Sequence, residues 1–125
     1  MIKTALVDIQ KTLKDLYKLY VPPLQIRIDN ENLFEVAGTR ETMQGRQKVD
    51  GFYFGSIIHK QKDIRLYYFP IYTHPTKFLW ISDDLRKCLK GKSCFHIKQL
   101  SIDLENEIKA MIHKGIEIYT NDNLI

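Results

Sequence analysis

The chain has 125 residues, 44% of them hydrophobic and 27% charged, with a formal net charge of +4. That is the composition of one ordinary globular domain over residues 1–125, and it excludes a disordered or collagen-like chain. No apolar run approaches ~20 residues, so no transmembrane helix is expected, and Cys88 and Cys94 are too few for a disulfide framework. The charged first residues lack a signal-peptide core. The expected setting is therefore the cytoplasm, with both thiols reduced.

In chain order, Ile2, Ala5, Leu6, Ile9, Leu13, Leu16, Tyr17 and Tyr20 recur at helical spacing. They predict an amphipathic helix over 2–20, ended by Pro22-Pro23. Leu24, Ile26 and Ile28 alternate with polar residues as in a half-buried strand, and a turn at 30–32 leads to a second strand over 33–37. Residues 39–50, with Gly45 and many ionisable side chains, read as a long hairpin connection containing a short extended piece. Two further strands are predicted over 52–59 and 64–72, joined by a polar turn at 60–63.

Simple alternation places Phe52, Phe54 and Ile58 on one face and Tyr53 and Ile57 on the other, while Leu66 and Tyr68 oppose Tyr67, Phe69 and Ile71. Strands apolar on both faces are expected at the centre of a sheet, covered on both sides. Ser82 is expected to cap a short helix with Asp83 and Asp84 in its first turn and Gly91 just past its end. Residues 93–98 read as a strand. Ser101 or Asp103 caps a final helix that buries Leu104, Ile108, Met111, Ile112, Gly115 and Tyr119, with Gly115 as an alternative stop. The order predicts a two-layer α+β domain, an antiparallel sheet of about five strands covered by helices.

The segments Gly51-Phe52-Tyr53-Phe54, Leu66-Tyr67-Tyr68-Phe69-Pro70-Ile71-Tyr72-Thr73-His74-Pro75 and Leu89-Lys90-Gly91-Lys92-Ser93-Cys94-Phe95-His96-Ile97-Lys98 resemble the YdhG-like family of small bacterial domains of unknown function. The helix before the sheet and Lys114-Gly115-Ile116-Glu117 extend the resemblance over nearly the whole chain. It implies a fold like that of the secretion chaperones, with a helical layer on an antiparallel sheet, and it carries over no catalytic residues. Some members are assigned as frataxin-like iron chaperones, a role that relies on an acidic ridge. The first helix here sets Asp8 and Asp15 against Lys3, Lys11, Lys14 and Lys18.

The most informative functional signal is aromatic. Nine of the 14 aromatic residues fall within 52–80, more than one sheet face needs for its core. Tyr53, Tyr67, Phe69, Tyr72 and Trp80 are therefore the candidate ligand-binding residues of a second face. That face is covered by the 73–82 loop through Phe78 and Trp80, by a second copy of the chain, or by a ligand. Residues 86–98 carry five cations and no acid, and Lys87, Lys90 and Lys92 are the candidate anion-binding residues. Gly91-Lys92-Ser93 lacks the earlier glycine and the strand-to-helix setting of a phosphate-binding loop.

Cys94 and His96, two apart on a strand, point the same way and are the weak metal candidates, with His74 or Cys88 as a conceivable third ligand. No nucleophile–base or paired-carboxylate motif occurs, so neither catalysis nor a cofactor is expected. The reading is a cytoplasmic, non-enzymatic binding domain whose partner is a small molecule or protein, with a homodimer as one arrangement and no membrane contact. A metal chaperone is the alternative. Nucleic-acid binding ranks third, because a charge of +4 is small for it.

Overall fold

A computed structural model describes residues 2–125. The backbone forms a six-stranded sheet in the order β2-β3-β6-β7-β9-β8, antiparallel at every described pairing. Its strands are β2 (Leu24–Asp29), β3 (Leu33–Gly38), β6 (Tyr53–His59), β7 (Ile64–Tyr68), β8 (Leu89–Lys90) and β9 (Cys94–Ile97). A small hairpin of β4 (Thr42–Gln44) and β5 (Gln47–Val49) supplies the extended piece expected within 39–50. Helices α1 (Leu6–Lys18) and α4 (Ile102–Asn121) form the second layer, with the short helices α2 (Pro70–Thr73) and α3 (Asp83–Cys88) and a 3₁₀ turn at Pro75–Phe78 around them. The architecture is the two-layer α+β domain.

Local chemistry accounts for most of these boundaries. Ser82 and Ser101 each accept a hydrogen bond from the backbone amide three residues on, at 3.1 Å, and so cap α3 and α4. The first helix begins at Leu6 rather than residue 2, because Ile2–Lys3 forms a strand, β1, paired with β10 (Leu100–Ser101). That pairing takes Ile2 out of the helical stripe and leaves it exposed.

The strand expected over 64–72 stops at Tyr68. Pro70 cannot donate to a ladder and sits in the first turn of α2 instead. Gly91 lies in the β8–β9 turn at φ +83, a conformation that suits glycine, and the chain between α3 and that turn is extended. The last helix runs through Gly115. A side chain there would collide with the Tyr68 hydroxyl and Pro70, so this glycine serves packing and does not end the helix.

The helices gather on one face. Phe54 is the hub of the core between the layers, meeting Tyr17, Tyr68 and Tyr119 edge to face at centroid distances of 5.7–5.9 Å. The Tyr68 hydroxyl donates to the Met111 carbonyl, and His59 and Gln10 hydrogen-bond at 3.0 Å. Phe78 packs into this core against Tyr68. The 75–82 segment therefore lies on the helical side and does not fold over the other face of the sheet.

The alternation expected along β6 is broken. Val36 pairs with Gly55 but Ala37 pairs with Tyr53, so Phe54 is the extra residue of a bulge. Beyond it the faces exchange: Phe54, Gly55 and Ile57 face the helices, while Tyr53, Ser56 and Ile58 face away. The grouping of Phe54 with Ile58, and of Tyr53 with Ile57, is thereby corrected. The bulge sits where Tyr17 of α1 crosses the sheet. Its hydroxyl occupies the space a side chain at Gly55 would need and donates to the Tyr67 carbonyl at 2.7 Å.

Gly55→Ala forces a methyl group against the Tyr17 hydroxyl and the Tyr67 carbonyl. It is expected to lower stability by about 1–3 kcal/mol, seen as a lower urea midpoint with an unchanged m-value. Tyr17→Phe, which removes the hydrogen bond but opens space, is expected to cost about 1 kcal/mol. The double variant is expected to cost less than the sum of the two single changes.

Candidate functional site

The face of the sheet turned away from the helices is ordered in rows, because directly paired residues on neighbouring strands share a face. One row runs Glu35, Ser56, Tyr67, Cys94 and Lys90 across β3, β6, β7, β9 and β8. At about 4.8 Å per strand, this row is about 19 Å long. The next row runs Leu33, Ile58, Arg65 and His96. Most of these side chains are half-buried. They shield one another, and at the far end of the rows Lys90 and His96 also border the cleft beside α3 and α4.

The aromatic candidates divide three ways. Tyr53, Phe69 and Tyr72 form a continuous chain of rings. Tyr53 meets Phe69 edge to face at 5.4 Å, and Phe69 stacks on Tyr72 at 5.5 Å. The Tyr53 hydroxyl and the Ser56 Oγ are 2.6 Å apart, which ties this chain to the row holding Tyr67. Trp80 stands apart. Its ring lies by Phe78 on the helical side, its Nε1 donates to the Lys77 carbonyl at 2.9 Å, and it is 48% exposed.

The cationic candidates also divide. Lys92 holds its Nζ 5.7 Å from the centroid of Tyr72 and so caps the end of the aromatic chain. Lys87 and Lys90 line a separate cleft of about 730 Å³, between α3, the end of β9 and the start of α4. Asp84, Asp103 and Glu107 line the same cleft, so it is far less uniformly basic than the sequence of residues 86–98. Glu107 is engaged in capping the backbone amide and hydroxyl of Ser82.

Cys94 and His96 share the open face, in different rows. The Nδ1 of His96 is 3.5 Å from the Oδ2 of Asp63. His74 pairs instead with Asp122 at 2.7 Å, and Cys88 donates to the Asp84 carbonyl. Among the described residues no group of three His, Cys, Asp or Glu side chains converges. On the first helix Asp15 is paired with Lys11 at 2.9 Å, and Asp8 is exposed.

Three contributors were not singled out in the sequence: Ser56, Arg65 and Asp63. Arg65 was findable, since strand alternation puts it on the Tyr67 side of β7. Asp63 was not, because a polar turn residue gives no local sign of burial. It is 5% exposed, and its Oδ1 accepts from the Arg65 Nε at 3.2 Å.

Burial sets the chemistry of this face. It pushes the Tyr53 hydroxyl up to about 12, against the lowering effect of the Ser56 hydrogen bond. Burial likewise raises the Tyr67 hydroxyl and the Cys94 thiol. Raised values hold all three protonated near neutral pH, so the surface offers rings and hydrogen-bond donors, and no thiolate is stabilised there. Comparison of the chain with protein-family models, curated proteins and solved structures finds no match. No helix among the described residues is long and apolar enough to cross a membrane.

A hydroxyl with a raised pKa holds its proton in the folded state at pH values where the unfolded chain has lost it. Its contribution to stability is full below pH ~10 and is lost as pH rises toward the folded value. Tyr17, Tyr68 and Tyr119 are raised as well, chiefly by burial. Denaturant midpoints are therefore expected to fall steadily between pH 10 and about 12, the value to which Tyr53 is pushed. Tyr53→Phe is expected to make that decline shallower.

Proposed function

We propose that this chain is a binding domain whose ligand lies on the open face of the sheet, over Tyr53, Tyr67, Phe69 and Tyr72 with Lys92 at the rim. The observation that carries this reading is the ring chain Tyr53–Phe69–Tyr72, which runs from β6 onto the short helix α2 at the end of the open face that holds Tyr67. The core is built around Phe54 on the other side of the sheet, and Phe69 packs against it through Phe52, while Tyr53 and Tyr72 extend the chain of rings beyond it. The raised Tyr53, Tyr67 and Cys94 groups support recognition rather than nucleophilic chemistry. Glu35, Arg65 and Lys90 place charge among the rings, which suits a polar-edged small ligand better than the dry apolar seal of an obligate dimer.

Titration with phenol, indole and adenosine, followed by NMR of the tyrosine and tryptophan rings, tests the reading. At least one probe is expected to move the Tyr53, Tyr67 and Tyr72 signals while Trp80, on the helical side, stays still. Light scattering is expected to show a monomer. Ferrous iron is expected to leave the same signals in place, because among the described residues no three His, Cys, Asp or Glu side chains converge to hold it. Movement confined to the helical side, or none with any probe, contradicts the proposal.

A further inference from the structure

At one end of the open face, the β6–β7 turn forms a hollow of about 350 Å³ lined by Lys60, Gln61, Lys62, Asp63, Arg65 and Lys98. The turn is closed by a hydrogen bond from the Lys60 amide to the Asp63 carbonyl at 3.0 Å. Four of the six lining residues are cations and one is an acid, and that acid is already engaged. Asp63 is buried, with Arg65 on one oxygen at 3.2 Å and His96 beside the other at 3.5 Å. Lys60, Lys62 and Lys98 have no carboxylate within 4.0 Å among the described residues.

Like charges gathered in one hollow repel unless an anion sits among them. Arg65 is also held in a useful pose. Asp63 takes its inner nitrogen, Nε, and the guanidinium lies beside the Tyr67 hydroxyl, with the outer two nitrogens as the part that matches a phosphate in bidentate fashion. A buried carboxylate that fixes an arginine from behind reduces the entropy lost when the arginine grips a ligand.

We propose that this hollow is a phosphate site, in which Arg65, Lys62, Lys60 and Lys98 bind the phosphoryl group and Asp63 positions Arg65. Resting on the reading of the open face as the binding surface, the proposal names the class of ligand: a phosphate monoester with a flat aromatic body. Arg65 and Tyr67 are two apart on β7 and share the open face, so their Cα atoms are separated by about 7 Å. A phosphoryl group on the arginine fork therefore brings an attached ring within reach of Tyr67. The site differs from the Lys87, Lys90 and Lys92 cluster expected from the sequence. The signal for it is dispersed over the 60–65 turn and Lys98, which meet only in the folded chain.

Inorganic phosphate and phenyl phosphate, added separately to the intact protein, test both halves by backbone-amide and tyrosine-ring NMR. Phosphate alone is expected to move the amides of residues 60–65 and 98. Phenyl phosphate is expected to move these and the Tyr67 ring, and to bind more tightly. The double variant Lys62→Gln/Lys98→Gln is expected to weaken both ligands at least about tenfold, since hydrogen bonds to charged groups are being removed. Its thermal midpoint is expected to stay nearly unchanged, because both lysines are exposed.

Binding that is unaffected by the double variant, or no response at residues 60–65, overturns the phosphate site. If phosphate binds there but phenyl phosphate leaves Tyr67 still, the phosphate site stands and the proposed link to the open face falls. If phenyl phosphate moves Tyr67 in wild type and double variant alike, the open face stands and the phosphate site falls.

Discussion

Tyr17 reaches from α1 across the layer boundary and sets its hydroxyl over Gly55, donating to the Tyr67 carbonyl at 2.7 Å. Only a residue without a side chain leaves room there, and the backbone of β6 bulges at this point. The bulge lets Phe54 and Ile57 enter the core together and turns Tyr53, Ser56 and Ile58 outward. Without it, simple alternation would send Tyr53 under the helices with Ile57 and would expose Phe54, the hub of the core. The division of the aromatic residues between the face under the helices and the open face depends on this one close approach.

The same strand then serves two ends. On β7, Leu66 and Tyr68 are fully buried against the helices, while Arg65 and Tyr67 lie on the other side, half-buried. The core side satisfies its polar atoms internally, as with the Tyr68 hydroxyl on Met111 and the Tyr17 hydroxyl on Tyr67. The outer side keeps donors and rings available, and Asp63 holds Arg65 and His96 next to each other at its margin. Protonated tyrosines and a protonated thiol make it a surface suited to stacking and hydrogen bonding.

Features fixed by local chemistry were legible in the sequence. The stripe Ile9, Leu13, Leu16 and Tyr17 gave away the buried side of α1, Ser82 and Ser101 marked the starts of two helices, and Pro22-Pro23 marked the end of another. Features fixed by contacts distant in sequence were not. The faces of β6 follow from Tyr17, the fate of Ile2 follows from its pairing with Ser101, and the burial of Asp63 follows from Arg65 and His96. The site shows the same division. The excess of aromatic residues over 52–80 was visible, but its separation into Trp80 on one side and Tyr53, Phe69 and Tyr72 on the other was not. Charge counting along residues 86–98 likewise missed the acids that α3 and α4 bring to the cleft beside Lys87 and Lys90.

The two faces of β7 provide the most direct test, using one replacement residue at adjacent positions. Leu66→Thr buries a hydroxyl in the core and leaves a cavity. It is predicted to cost at least about 3 kcal/mol in denaturant unfolding. Tyr67→Thr keeps the strand propensity and alters only the open face, and is predicted to cost about 1 kcal/mol or less while abolishing the response to aromatic probes. Equal costs at the two positions, or a Tyr67→Thr protein that still binds the probes, would contradict a sheet with one face for folding and the other for binding.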